Sequence, residues 1–293
     1  MRVIKVNCSI LLLIFCTLII LLIHTTRILD LQKKNYYSES KLYVLDRARF
    51  KASSRLLVVG DVHGDIQTIL SILKIFDPSE DIIIFLGDYA DRGSNGVEVV
   101  DTIRSLSEKS PQNVIALKGN HEDYTDDGKP LFYPCDLVRE AERNKEGGWR
   151  KYFTNELQHF LKRLYLAAIL PGECLFVHGG ISSKIVDIDS MAKAAREIEM
   201  DMLWSDPFEG TGERPNFRGA GILFGEDVTD TVCKRLGVKR IIRSHEPDKS
   251  LLGPFCEHHS KVVTISSTRI YGGKPFVLAI NTLKPSEAIP QFL

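Results

Sequence analysis

Apolar residues fall along this chain in short β-branched runs, and several of the runs give way to acid, amide or histidine beside a glycine. Leu56-Leu57-Val58-Val59, Ile82-Ile83-Ile84-Phe85-Leu86, Val114-Ile115-Ala116-Leu117 and Cys174-Leu175-Phe176-Val177 show no polar alternation. Such runs predict strands covered on both faces. Arg240-Ile241-Ile242 is a shorter run of the same kind, and residues 262–266 and 276–280 predict two strands that close the sheet antiparallel to one another. Between these runs the period becomes helical. Ile66, Ile69, Leu70, Leu73 and Ile75 predict a helix capped by Asp65 and stopped at Asp77-Pro78. Further helices are predicted over 96–106, 137–143, 149–166 and 228–236. Strands alternating with helices make βαβ units, and open α/β sheets hold their ligands beyond the carboxyl ends of the strands.

The amino terminus stands apart. Residues 8–23 are apolar except for Ser9 and Thr17, with Arg2 and Lys5 before them and Arg27, Lys33 and Lys34 after. This predicts a single-pass membrane anchor over 1–28, in a run slightly shorter than the roughly twenty residues that cross a bilayer squarely. A cleaved signal peptide is the alternative, although no small-x-small site follows, since the chain continues His24-Thr25-Thr26-Arg27. The similar basic flanks leave the side of the membrane open. Residues 29–52 are expected to be a polar linker or to hold a short helix at Leu42-Tyr43-Val44-Leu45; 53–285 is expected to be the catalytic domain, and 286–293 a tail. A chain starting near Lys51 should then keep its fold and activity.

Composition excludes some partners. Lys plus Arg and Asp plus Glu both number 38, so no basic excess exists to hold nucleic acid by counterion release. Cys135, Cys174, Cys233 and Cys256 lack the Cys-x-x-Cys spacing of a zinc ribbon or redox pair.

The strand ends carry the candidate chemistry. They read Gly60-Asp61-Val62-His63-Gly64, Gly87-Asp88-Tyr89-Ala90-Asp91-Arg92-Gly93, Gly119-Asn120-His121-Glu122, His178-Gly179-Gly180 and Arg243-Ser244-His245. One acidic loop after a strand is usually a solvated turn; several in succession point to a shared site. Asp61, His63, Asp88, Asn120, His178 and His245 offer carboxylate, imidazole and amide oxygen, donors that suit manganese, iron or zinc. Their number suffices for two divalent ions, with Asp88 as the natural bridge.

The order of these motifs resembles the metallophosphoesterases of the phosphoprotein phosphatase family, which includes the Ser/Thr protein phosphatases, over about residues 55–280. Leu203-Trp204-Ser205-Asp206-Pro207 and Arg218-Gly219 resemble the protein phosphatase branch in particular. The resemblance implies a calcineurin-like α/β fold, a β-sandwich flanked by helices, here preceded by the transmembrane segment. It implies hydrolysis of phosphate monoesters by a metal-activated hydroxide, on a phosphorylated protein or a small phosphorylated substrate. Asp61, His63 and Asp88 would hold one ion, and Asp88, Asn120, His178 and His245 the other. Arg92 and Arg218 would grip phosphate oxygens, and His121, supported by Asp91, would protonate the leaving alkoxide. Where animal relatives have Ala-Pro-Asn-Tyr-Cys-Gly this chain has Thr268-Arg269-Ile270-Tyr271-Gly272-Gly273, which points to a divergent or microbial type. Two other activities are weighed: hydrolysis of phosphoanhydrides such as dinucleoside polyphosphates or polyphosphate, and a catalytically silent tethered binding module. The last predicts a missing ligand, and none is missing.

Overall fold

In the computed structural model, which describes residues 40–293 except Ala52 together with Ile19, Leu22 and Thr26, the β-branched runs pair into two facing sheets. The first has five strands in the order Ala288–Phe292, Phe276–Asn281, Arg55–Val59, Ile82–Phe85 and Val114–Ala116. The second has six, in the order Leu42–Val44, Ala167–Leu170, Cys174–Val177, Arg240–Arg243, Val262–Thr264 and Phe255–Glu257. The two-residue period of a strand divides each run between two layers. Leu56, Val58 and Ile84 join Phe176, Ile242 and Val263 in the core between the sheets. Leu57, Val59, Ile83 and Phe85 instead pack under the helices Ile66–Ile75, Gly96–Lys109 and Asp136–Asn144. On the far side Leu175, Val177 and Ile241 pack under Arg196–Trp204 and Glu226–Leu236. The layers therefore run helix, sheet, sheet, helix. A small sheet, Asp206–Pro207, Ile222–Phe224 and Glu213–Pro215, lies outside them.

Several expectations are corrected. Leu42–Val44 is a buried strand paired in parallel with Ala167–Leu170, not part of a linker or a helix, because Leu42 and Val44 feed one core layer while Tyr43 and Leu45 feed the other. The 286–293 tail contains the strand Ala288–Phe292, which pairs antiparallel with Phe276–Asn281. Val262–Thr264 and Phe276–Asn281 lie in different sheets; the former runs parallel to Arg240–Arg243 and makes its hairpin with Phe255–Glu257. The helix expected over 149–166 ends at Leu161 after a π segment over Phe153–Leu157. The membrane localisation is also corrected. Among the described residues no helix is long and apolar enough to cross a membrane; the longest, Gly96–Lys109, has 14 residues against the roughly twenty required. Of the apolar run over 8–23 only Ile19 and Leu22 are among the described residues, and the rest lies outside them.

Candidate metal centre

Arg55–Val59, Ile82–Phe85 and Val114–Ala116 run parallel in one sheet, and Cys174–Val177 and Arg240–Arg243 run parallel in the other. The loops leaving these strands carry Asp61 and His63, Asp88, Asn120, His178 and His245, none of them more than 5% exposed. The loops are bent hard to bring these groups inward. His63, Asp88, Asp91, Arg92 and His245 have φ of 49°, 53°, 69°, 67° and 73°, a left-handed region in which each non-glycine residue costs about 1–3 kcal/mol. Glycine is required at Gly87, with φ of 108°, because a Cβ there would stand 2.5 Å from the Cα of Gly119.

Asp88 lies at the centre. Its Oδ1 is 3.3 Å from Nε2 of His178, and its Oδ2 is 3.6 Å from Nε2 of His63. His178 Nε2 is also 2.9 Å from Oδ1 of Asn120 and 3.1 Å from Nδ1 of His245. Asp61 Oδ2 lies 3.9 Å from His63 Nε2. The outer ring nitrogens are fixed by backbone, His63 Nδ1 lying 3.0 Å from the carbonyl of Ala90 and His178 Nδ1 3.0 Å from that of Leu86. Two groups bring their donor atoms within 4.8 Å of one another: His63, Asp88 and His121, and Asp88, His178 and His245.

This donor set fits divalent ions. Among the described residues Oδ2 of Asp61 and Nε2 of His245 are buried with no hydrogen-bond partner, which a folded protein rarely tolerates. Burial pushes the Asp61 carboxyl up to about 6 and that of Asp88 well above its ordinary value, while it drives the His63 imidazole down to about 3 and those of His178 and His245 well down. The imidazoles are thus neutral and able to ligate, and a cation bound among them would favour the charged form of both acids.

Other residues hold the donors in place. The Glu122 carboxylate accepts the N–H groups of Asp88, Tyr89 and Gly119 at 2.8, 3.0 and 2.9 Å, pinning the bent Asp88 loop. Ser244 Oγ donates to Asp61 Oδ1 at 2.5 Å. Asp206 accepts from the fully buried guanidinium of Arg243 at 2.8 Å and from Arg218 Nε at 2.8 Å, joining the small sheet to the His245 loop. Sequence reasoning gave Glu122, Ser244, Asp206 and Arg243 no role of their own. The only signal was their place inside the quoted motifs.

A cleft of about 200 Å3 opens onto these groups, lined by His63, Asp88, Asn120, His121, His245, Arg218 and Tyr271 among others. Residues 54–249 match the family model for calcineurin-like phosphoesterases. The chain belongs to the calcineurin-like metallophosphoesterases. It is 32% identical over 244 residues to a protein of Encephalitozoon cuniculi named a probable serine/threonine-protein phosphatase, covering 80% of this chain and 51% of that protein. A serine/threonine-protein phosphatase of Caenorhabditis elegans is 28% identical over 214 residues, 70% of this chain and 46% of that one. The chain therefore spans about half the length of these curated relatives. A solved protein serine/threonine phosphatase of Saccharomyces cerevisiae superposes with a TM-score of 0.68 at 26% identity, over 87% of this chain and 81% of that one.

In this metallophosphoesterase His121 lines the cleft with its Nδ1 2.7 Å from Oδ2 of Asp91. Burial works against its charged form, but the charges of Asp88, Asp91 and Glu122 and the bond to Asp91 raise it to about 9. Arg218 also lines the cleft. Arg92 is exposed and is not among the lining residues, although its charge reaches both His63 and Tyr271.

Proposed function

We propose that this metallophosphoesterase is a phosphoserine/phosphothreonine phosphatase working with two divalent ions of manganese, iron or zinc. The observation that carries the reading is the His121–Asp91 pair beside Asp88, which stands in both donor groups and lines the cleft with His121. Asp61, His63 and Asp88 would hold one ion, and Asp88, Asn120, His178 and His245 the other. Bound there, the ions would supply Lewis acidity toward the phosphoryl group and a nucleophile at neutral pH.

The side chains do the rest. Arg218, and Arg92 from the edge, offer planar guanidinium forks to the phosphate oxygens. With Nδ1 of His121 turned to Asp91, Nε2 holds the proton for the departing oxygen. A serine or threonine alkoxide leaves poorly without one.

The test is turnover of a phosphoserine peptide, diadenosine tetraphosphate and polyphosphate by the full chain with manganese. Highest kcat/KM on the peptide is expected. Preference for either anhydride would replace this reading with a phosphoanhydride hydrolase, and no turnover of any of them would leave a binding module.

A further inference from the structure

Beside the cleft lies a second hollow of about 400 Å3, and Asp248 and Lys249 line both. Its remaining wall is Leu251, Leu252, Gly253, Pro254 and Phe255. Leu252 is 80% exposed and Phe255 42% exposed, so two large apolar side chains stand in water at the edge of a polar site. The hollow is also tied to the cleft, since Lys274, close after Tyr271, donates its backbone N–H to the carbonyl of Leu251 at 2.8 Å.

Charge argues against a phosphate chain here. The Lys249 amine is neutralised by Glu246 at 3.1 Å and Glu257 at 2.8 Å, and Asp248 adds a negative charge to the wall. The backbone argues for polypeptide. Among the described residues Phe255–Glu257 ends the six-stranded sheet and pairs on one side only, with Val262–Thr264, so its outer edge offers N–H and C=O groups to an extended chain.

We propose that this hollow receives an apolar side chain of an extended phosphopolypeptide, close in sequence to the phosphorylated residue held in the cleft. The proposal rests on the protein phosphatase reading above and names the sequence context that the site selects. Leu252 and Phe255 supply the apolar wall, and the Phe255–Glu257 edge aligns the chain.

The experiment compares phosphoserine peptides in which one leucine is moved stepwise along a glycine- and serine-rich background, using the full chain with manganese. At one or two positions leucine should raise kcat/KM about tenfold over the peptide without it, the scale for partly burying one such side chain. Leu252→Asp should bring that ratio back toward one. The ratio is taken within one preparation, so a partly folded variant lowers both peptides equally. Turnover of all the peptides without a leucine preference, or a preference that survives in Leu252→Asp, overturns the hollow and leaves the phosphatase reading standing. Failure to turn over any phosphopeptide, whatever the outcome with diadenosine tetraphosphate, overturns both.

Discussion

Asp91 holds His121 with one carboxylate oxygen, at 2.7 Å, and with the other accepts the backbone N–H groups of Asp136 and Leu137 at 2.6 and 2.8 Å. The imidazole is thereby fixed to the start of the helix Asp136–Asn144 rather than to the mobile end of a side chain. In the general-acid role proposed above, His121 would contribute most where the leaving group is poor.

His121→Asn should accordingly lose roughly 10²- to 10⁴-fold in kcat on a phosphoserine peptide, and less on an aryl phosphate, whose phenolate leaves with little help. Asp91→Asn should show the same pattern more weakly, since Asp91 orients and charges the ring. Both variants should keep their metal content. His121 also falls within ligand distance of His63 and Asp88, so equal losses on the two substrates, or metal lost from His121→Asn, would assign it to the metal instead.

Asp88 belongs to both donor groups. Asp88→Asn should therefore lose metal and activity together, with elemental analysis and turnover run on the same sample. Two ions still bound to the variant would rule out the shared position.

Glu122 makes a prediction that does not depend on the substrate. A glutamine has one acceptor oxygen and an NH2 group, so Glu122→Gln turns a donor toward at least one of the N–H groups of Asp88, Tyr89 and Gly119. The expected cost is about 1–3 kcal/mol in denaturant unfolding. Metal affinity should fall with it, as the Asp88 loop loosens; unchanged stability would mean that the loop is held elsewhere.

Acid should weaken the fold at Asp123. Burial disfavours the charge of Asp123, but the hydrogen bond from Arg196 and the charge of Lys118 outweigh it and hold the carboxyl below its ordinary value. An acid depressed by folding adds stability above its unfolded pKa and loses it as pH falls through the folded one. The stability gap between the natural chain and Arg196→Met should thus be widest near neutrality and close as pH drops through the carboxylate range. A constant gap in unfolding titrations from pH 7 to pH 3 would assign Arg196 to packing alone.

Much of the centre was legible because its strands are buried on both faces, which leaves unbroken apolar runs, and because each run ends in a motif rather than in a lone polar residue. What the sequence hid has local causes. Ala167–Leu170 opens with two alanines, which carry little strand signal. The turn between Phe255–Glu257 and Val262–Thr264 places His258, His259 and Ser260 at φ of 50°, 54° and 63°, where glycine or Asn-Gly would have announced a hairpin. Leu42–Val44 is too short for its alternation to stand out from the polar residues around it. The parts played by Glu122 and Arg243 depend on what they face across the fold, and no spacing along the chain reports that.

That short strand also governs where the chain can be cut. Leu42–Val44 covers the outer side of Ala167–Leu170, a segment with no charge, proline or bulge to discourage pairing with another molecule. A chain starting at Lys51 would uncover it, remove Tyr43 and Leu45 from between the sheets, and free Glu199 from Lys41, which it meets at 3.0 Å. Such a fragment would carry every candidate metal donor and still be prone to self-association through its bare flank, so a well-behaved unit has to begin no later than Ser40.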